Sequence, residues 1–141
     1  MPFEPIDFNG ASAVRISTGK LDLAAVTDYG PRIAHFGPTD GENLLLWAPG
    51  KYGREGWDLR GGHRVWATRP LADENEDTYA TDNEPCDVHI SGDSVIITGA
   101  MNPQNHTRRG LQITVLDEEC VEVDNFIVNE GGATCRDVLD L

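Results

Sequence analysis

Arg109-Gly110-Leu111-Gln112-Ile113-Thr114-Val115-Leu116, then Asp117-Glu118-Glu119, then Cys120-Val121-Glu122-Val123-Asp124-Asn125-Phe126-Ile127-Val128-Asn129, is the stretch that decides the fold class of this chain. Leu111, Ile113 and Val115 recur at every second position. Val121, Val123 and Ile127 share one face of the second run, and Phe126 and Val128 share the other. A period of two sends alternate side chains to opposite sides of a pleated strand. Two such runs joined by a short acidic link read as a pair of long antiparallel strands.

Working outward, Cys86 to Ser91 and Ser94 to Ala100 flank Gly92-Asp93, a hairpin signal. Towards the amino terminus, Ala13-Val14-Arg15-Ile16-Ser17, Leu21 to Thr27 and Arg32 to Phe36 are separated by Thr18-Gly19-Lys20 and Asp28-Tyr29-Gly30-Pro31. Glycine and proline suit those two links to turns, so the three runs read as a meander. Asn43 to Trp47 is a short apolar run. Pro49 to Gly62 is rich in glycine and reads as an ordered loop, and Thr68 to Pro85, with Asp73-Glu74-Asn75-Glu76-Asp77, as a long acidic loop. The tail after Gly131-Gly132 reads as a turn plus a short strand or helical turn. No helical window of useful length competes. The expected class is all-β, an antiparallel β-sandwich, in one domain spanning residues 1–141.

Lysine plus arginine number 11 and aspartate plus glutamate 24, for a net charge of −13. Such a surface repels phosphate backbones and anionic lipid, so no nucleic acid and no membrane is expected as a partner. Cys86, Cys120 and Cys135 are widely spaced and form no zinc-ligand pattern, so no metal or other cofactor is expected. An odd cysteine count and a start without a basic or apolar leader fit reduced thiols in the cytoplasm. Asn105-His106-Thr107 matches a glycosylation sequon, read as coincidence in that setting.

The chemistry-bearing stretch is Gly61-Gly62-His63-Arg64-Val65-Trp66, followed by Asp82-Asn83-Glu84-Pro85. The glycine pair permits a tight turn and a close approach to a ligand. His63 exchanges protons near neutral pH. Arg64 offers a planar fork of donors, and Trp66 an apolar face. That combination suits a polar ring such as a sugar. The alternative is structural: His63 and Arg64 pair with Asp82 or Glu84, and Trp66 is core.

These pieces, with Val14-Arg15-Ile16-Ser17, Leu21-Asp22-Leu23, Asp28-Tyr29-Gly30-Pro31-Arg32-Ile33 and the strand through Arg109, resemble the amino-terminal half of a galactose-mutarotase-like β-supersandwich. More narrowly, they resemble an uncharacterised bacterial branch of that superfamily, related to aldose 1-epimerases. The resemblance covers roughly residues 12 to 130. It implies a truncated, half supersandwich with sugar bound across a concave sheet face. It places Arg32, His63 and Arg64 at that face and makes His63 the candidate catalytic residue, beside the residue-level candidates Trp66, Asp82 and Glu84. The epimerases' catalytic glutamate belongs to the half not matched here, and no motif assigns Glu84 that role. A half sandwich also leaves strand edges and an apolar face uncovered. A homodimer that completes it is therefore expected, the alternative being a self-sufficient sandwich covered by Cys135 to Leu141.

Three functions follow. The first is a carbohydrate-binding protein without full catalytic machinery. The second is a structural or interaction module that homodimerises, favoured if the surroundings of Trp66 are sealed. The third is a residual aldose 1-epimerase, with His63 as acid and Glu84, Asp82 or a partner-chain carboxylate as base. Elsewhere, His35 reads as a packed or edge histidine and His89 as solvent-facing. Arg109 reads as paired with Glu118 or Glu119, the alternative being contact with an anionic substrate; Cys86 and Cys120 read as small buried groups, and Trp47 and Trp57 as core or loop anchors, the alternative being the lining of a cleft.

Overall fold

The computed structural model describes residues 2–54, 57–68, 80–103, 106–131 and 138–140. Thirteen strands appear among them: β1 (Phe3–Phe8), β2 (Ala11–Ser17), β3 (Leu21–Val26), β4 (Arg32–Pro38), β5 (Gly53–Arg54), β6 (Trp57–Asp58), β7 (His63–Arg64), β8 (Trp66–Thr68), β9 (Asp87–Ser91), β10 (Ser94–Thr98), β11 (Thr107–Asp117), β12 (Cys120–Asn129) and β13 (Val138–Asp140). The fold is all-β. A five-stranded sheet, β1-β2-β3-β4-β7, faces a four-stranded sheet, β12-β11-β10-β9, and every pairing is antiparallel. No helix among the described residues is long and apolar enough to cross a membrane.

The period-two pattern sets the faces. Val95 lies opposite Ile113 and Ile97 opposite Leu111, and all four are fully buried. They meet Ile16, Leu23, Ala25 and Ile33 of the other sheet in one core. Burying each aliphatic side chain of this kind contributes about 1.5–3 kcal/mol. On β12, Val121 and Val123 pair with Val115 and Ile113, so they point inward as their spacing predicts. Phe126 lies opposite Gly110, on the other face, where a Cβ would fall 2.0 Å from the ring. Glycine is needed there for space.

The meander begins one strand earlier than the sequence reading places it. β1 pairs with β2 through Asn9-Gly10, whose φ values are +52° and +91°. Two consecutive residues with positive φ form the hairpin turn that matches strand twist. Pro5 sits within β1, and an edge strand tolerates a residue without N–H. Asn43 to Trp47 is not a strand. Asn43 instead docks by its side chain, accepting from the Phe36 and Leu45 amides and donating to the Ala34 carbonyl. Ala34 is the residue left without a partner where the β3–β4 register shifts, so a side-chain amide satisfies backbone groups at the irregularity. Trp47 packs with Phe8 and Tyr29 on a second apolar cluster on the outer face of the five-stranded sheet.

Within the loop Pro49 to Gly62, β5 and β6 form a minimal hairpin. The tail does supply a short strand: β13 pairs with β8, setting Asp140 opposite Trp66. Cys135, most of the acidic run of Thr68 to Pro85, Asn105 of the sequon and the Trp57 side chain lie outside what the structure describes.

Two cysteines are described, and they differ. Cys120 is exposed, contrary to expectation, because the inward positions of β12 belong to Val121 and Val123. Cys86 packs against the core, and burial pushes its thiol up to about 12, with the charge of Asp87 acting in the same direction. In a Cys135→Ser background, iodoacetamide at mildly alkaline pH should modify Cys120 first. Cys86 should lag by roughly a thousandfold, in proportion to its lost thiolate. Peptide mass mapping over a time course checks this, and equal rates would contradict the burial of Cys86.

Candidate functional site

The glycine pair does make a tight turn, but what it approaches is protein. Gly61 and Gly62 have φ of +96° and +80°. A Cβ on Gly61 would lie 2.3 Å from the Leu46 carbonyl oxygen, and one on Gly62 would lie 2.5 Å from that of Ile33. The turn presses β7 against β4, in the register Arg32↔Arg64 and Ile33↔His63.

That register sends His63 and Arg64 to opposite faces. His63 shares the inner face with Ile33, and its Nε2 is 2.9 Å from Oδ1 of Asn125 on β12. Asn125 lies opposite Leu111, so the pair bridges the two sheets at the rim of the core. None of the described carboxylates forms an ion pair with His63. Arg64 shares its face with Arg32, and its guanidinium lies 4.0 Å over the Trp66 ring. One face of the indole is thus occupied by a cation, an arrangement worth about 0.5–2 kcal/mol.

Both arginines converge on Asp82, which sits in a 3-10 turn, Ala80–Asn83. Its Oδ2 accepts from Trp66 Nε1 at 2.6 Å and from Arg64 Nη1 at 3.3 Å, and lies 3.9 Å from Arg32 Nη2. Its Oδ1 pairs with Arg109 Nη2 at 3.2 Å. Asp82 is 3 % exposed, Arg32 0 % and Arg109 4 %. Two buried guanidiniums therefore share one carboxylate, with Arg64 at its outer side. Hydrogen bonds to an ionised acceptor are roughly twice as strong as neutral ones. They hold the turn together with Arg109 donating to the Thr81 hydroxyl and Arg60 Nη1 donating to Asn83 Oδ1 at 2.7 Å.

Arg32 is the unusual member. Its Nη1 donates to the carbonyls of Leu59 and Gly61, each at 3.1 Å, but Nε and Nη2 have no hydrogen-bond partner among the described residues. Burial lowers its pKa to about 10. Asp82 opposes that shift, and the charges of Arg64 and Arg60 add to it. Tyr29 stacks under Arg60 at 3.9 Å and beside Arg32 at 5.7 Å, adding an aromatic face to the cluster.

Of the residues singled out from sequence, Arg32, Arg64, Trp66 and Asp82 thus meet around one carboxylate. His63 stands on the other side of its sheet. Glu84 is exposed and forms no ion pair among the described residues. Arg109 does not pair with Glu118 or Glu119, which lie across from Lys20. It is in phase with Leu111, Ile113 and Val115 and so points inward, where only a buried carboxylate can balance it. That phase was the signal for its role, and Thr81 and Tyr29 had none. No protein-family model, curated protein or solved structure matches this chain.

Proposed function

We propose that this protein binds carbohydrate without epimerising it, and that the sugar carries a carboxylate, as a uronic acid does. The observation that carries the reading is Arg32: a fully buried guanidinium with two nitrogens lacking hydrogen-bond partners among the described residues, beside a carboxylate it shares with Arg109. Leaving buried donors unpaired costs about 1–3 kcal/mol, and an anionic oxygen would remove that cost. Trp66 and Tyr29 each stack on a guanidinium, Arg64 and Arg60 respectively, so the cluster joins aromatic rings to cations as a sugar acid would need, and the Arg64 side chain is 14 % exposed. Acid–base turnover needs two groups within reach of one substrate, and His63 is engaged with an amide. The sequence resemblance to a mutarotase-like half supersandwich agrees with a sugar as ligand.

Saturation-transfer NMR with glucuronate, galacturonate, glucose and galactose tests it, with anomer exchange followed in the same samples. Binding of the uronates, weaker response from the neutral sugars, unchanged α/β exchange, and loss of uronate binding in Arg64→Met are the expected results. Exchange that is accelerated, and lost in His63→Ala, would replace this reading with an epimerase. No response from any sugar would favour the interaction-module reading.

A further inference from the structure

We propose that β9 is a self-association edge, pairing antiparallel with the β9 of a second copy of this chain. All five of its residues are exposed, and β10 is its single strand partner among the described residues. Ile90 lies opposite Val95 and Val88 opposite Ile97, so both point to the core side of their sheet. Val95 and Ile97 are fully buried, yet Val88 and Ile90 are each 42 % exposed. The reason is a mismatch in width: the sheet of β9 has four strands and the sheet it faces has five. At this margin an open groove of about 470 Å³ runs between Val88 and Ile90 on one side and Pro5, Ile6, Ala13 and Val14 on the other.

The backbone is poised for pairing. Ser91 and Ser94 flank the two-residue turn and close it as a hydrogen-bonded pair, so His89 directs its N–H and C=O to Ile96. Alternation then leaves the N–H and C=O of Val88 and Ile90 pointing away from β10. The Cys86 amide, in the same phase, donates in that direction to the Thr27 carbonyl at 2.8 Å.

Charge and symmetry select a second copy as the occupant. About a twofold axis at His89, Val88 of each copy faces Ile90 of the other, and Asp87 faces Ser91. No carboxylate meets a carboxylate, and Asp87 is already paired with Arg108 at 3.8 Å. The remaining long edges repel a copy in a chain of net charge −13. β1 carries Glu4, Asp7 and a proline, and β12 carries Glu122 and Asp124 with Glu118, Glu119 and Glu130 at its ends. Pairing through β9 creates one continuous eight-stranded sheet. It sets the inward side chains of each β9 over the groove margin of its partner and corrects the missing strand.

Light scattering on the full chain, with amide exchange across a concentration series, tests this. The expected result is twice the 15.4 kDa chain mass at micromolar concentration, with Val88 and Ile90 amides protected in proportion to the dimer. Ile90→Lys should give a monomer with a native circular-dichroism spectrum. Val128→Lys, on the exposed face of β12, should leave the dimer intact. A wild-type monomer whose Val88 and Ile90 amides exchange freely overturns the proposal and leaves the groove to another occupant. A dimer that survives Ile90→Lys overturns it as well, by placing the interface elsewhere.

Discussion

Asp82→Asn is expected to lower the free energy of unfolding by about 3–5 kcal/mol, the range for removing one partner of a buried charge cluster. The carboxylate takes charge-assisted contacts from Trp66, Arg64 and Arg109 and stands 3.9 Å from Arg32. The asparagine has nearly the same shape, but it removes the one negative charge these guanidiniums share among the described residues. Its amide also sets donors against the donors of Trp66 and Arg64. The loss should appear as a lower urea midpoint at unchanged slope, because the surface exposed on unfolding stays the same. Added salt should recover little of it, since buried pairs are weakly screened. The double variant Asp82→Asn, Arg109→Met should recover part of it by withdrawing one of the stranded cations. A loss under about 1 kcal/mol would mean that the arginines find other acceptors and that Asp82 does not hold the cluster, well below the cost of an uncompensated buried charge.

Gly62→Ala carries the second large effect, about 2–4 kcal/mol, from two sources. A left-handed backbone costs an alanine about 1–2 kcal/mol. The new Cβ would also meet the Ile33 carbonyl oxygen at 2.5 Å, a backbone atom inside the paired strand β4 that cannot move without opening the Ile33↔His63 register. Gly50→Ala is the matched control. Its φ is +75°, and a Cβ there meets nothing within 4 Å, so it should show the conformational penalty alone. Thermal unfolding of both variants separates the terms. Equal shifts would show that the turn yields and that close approach to β4 does not position His63 and Arg64.

Much of this architecture was legible because alternation is a local signal. β12 spans Cys120–Asn129, as its pattern indicates, and the hairpin at Gly92-Asp93 joins β9 and β10. β1 is less legible, even though Asn9-Gly10 is among the strongest short-range hairpin signals. Pro2 and Pro5 argue against a central strand, and only the sheet order reveals an edge, where proline is tolerated. β5 to β8 are two or three residues long, too short for any period to show. In the candidate site, Arg64, Trp66 and Asp82 stood out by their chemistry. Glu118 and Glu119 are near Arg109 in sequence, but the strand phase of Arg109 turns it inward to Asp82 instead.

The class follows from residue pattern: an all-β chain whose apolar residues recur at every second position can bury them only between two sheets. The composition also sets an acidic surface that limits which faces a second copy can approach. Tertiary structure alone decided which charges meet. Asp82 reaches Arg32 and Arg109 from opposite directions along the chain, through a glycine turn, a 3-10 turn and the end of β11. It likewise decided that adjacent residues His63 and Arg64 serve different faces, and that Val88 and Ile90 remain uncovered. Those outcomes depend on sheet register and sheet width. Both arise from backbone pairing over long sequence separations, to which no local pattern of residues is sensitive.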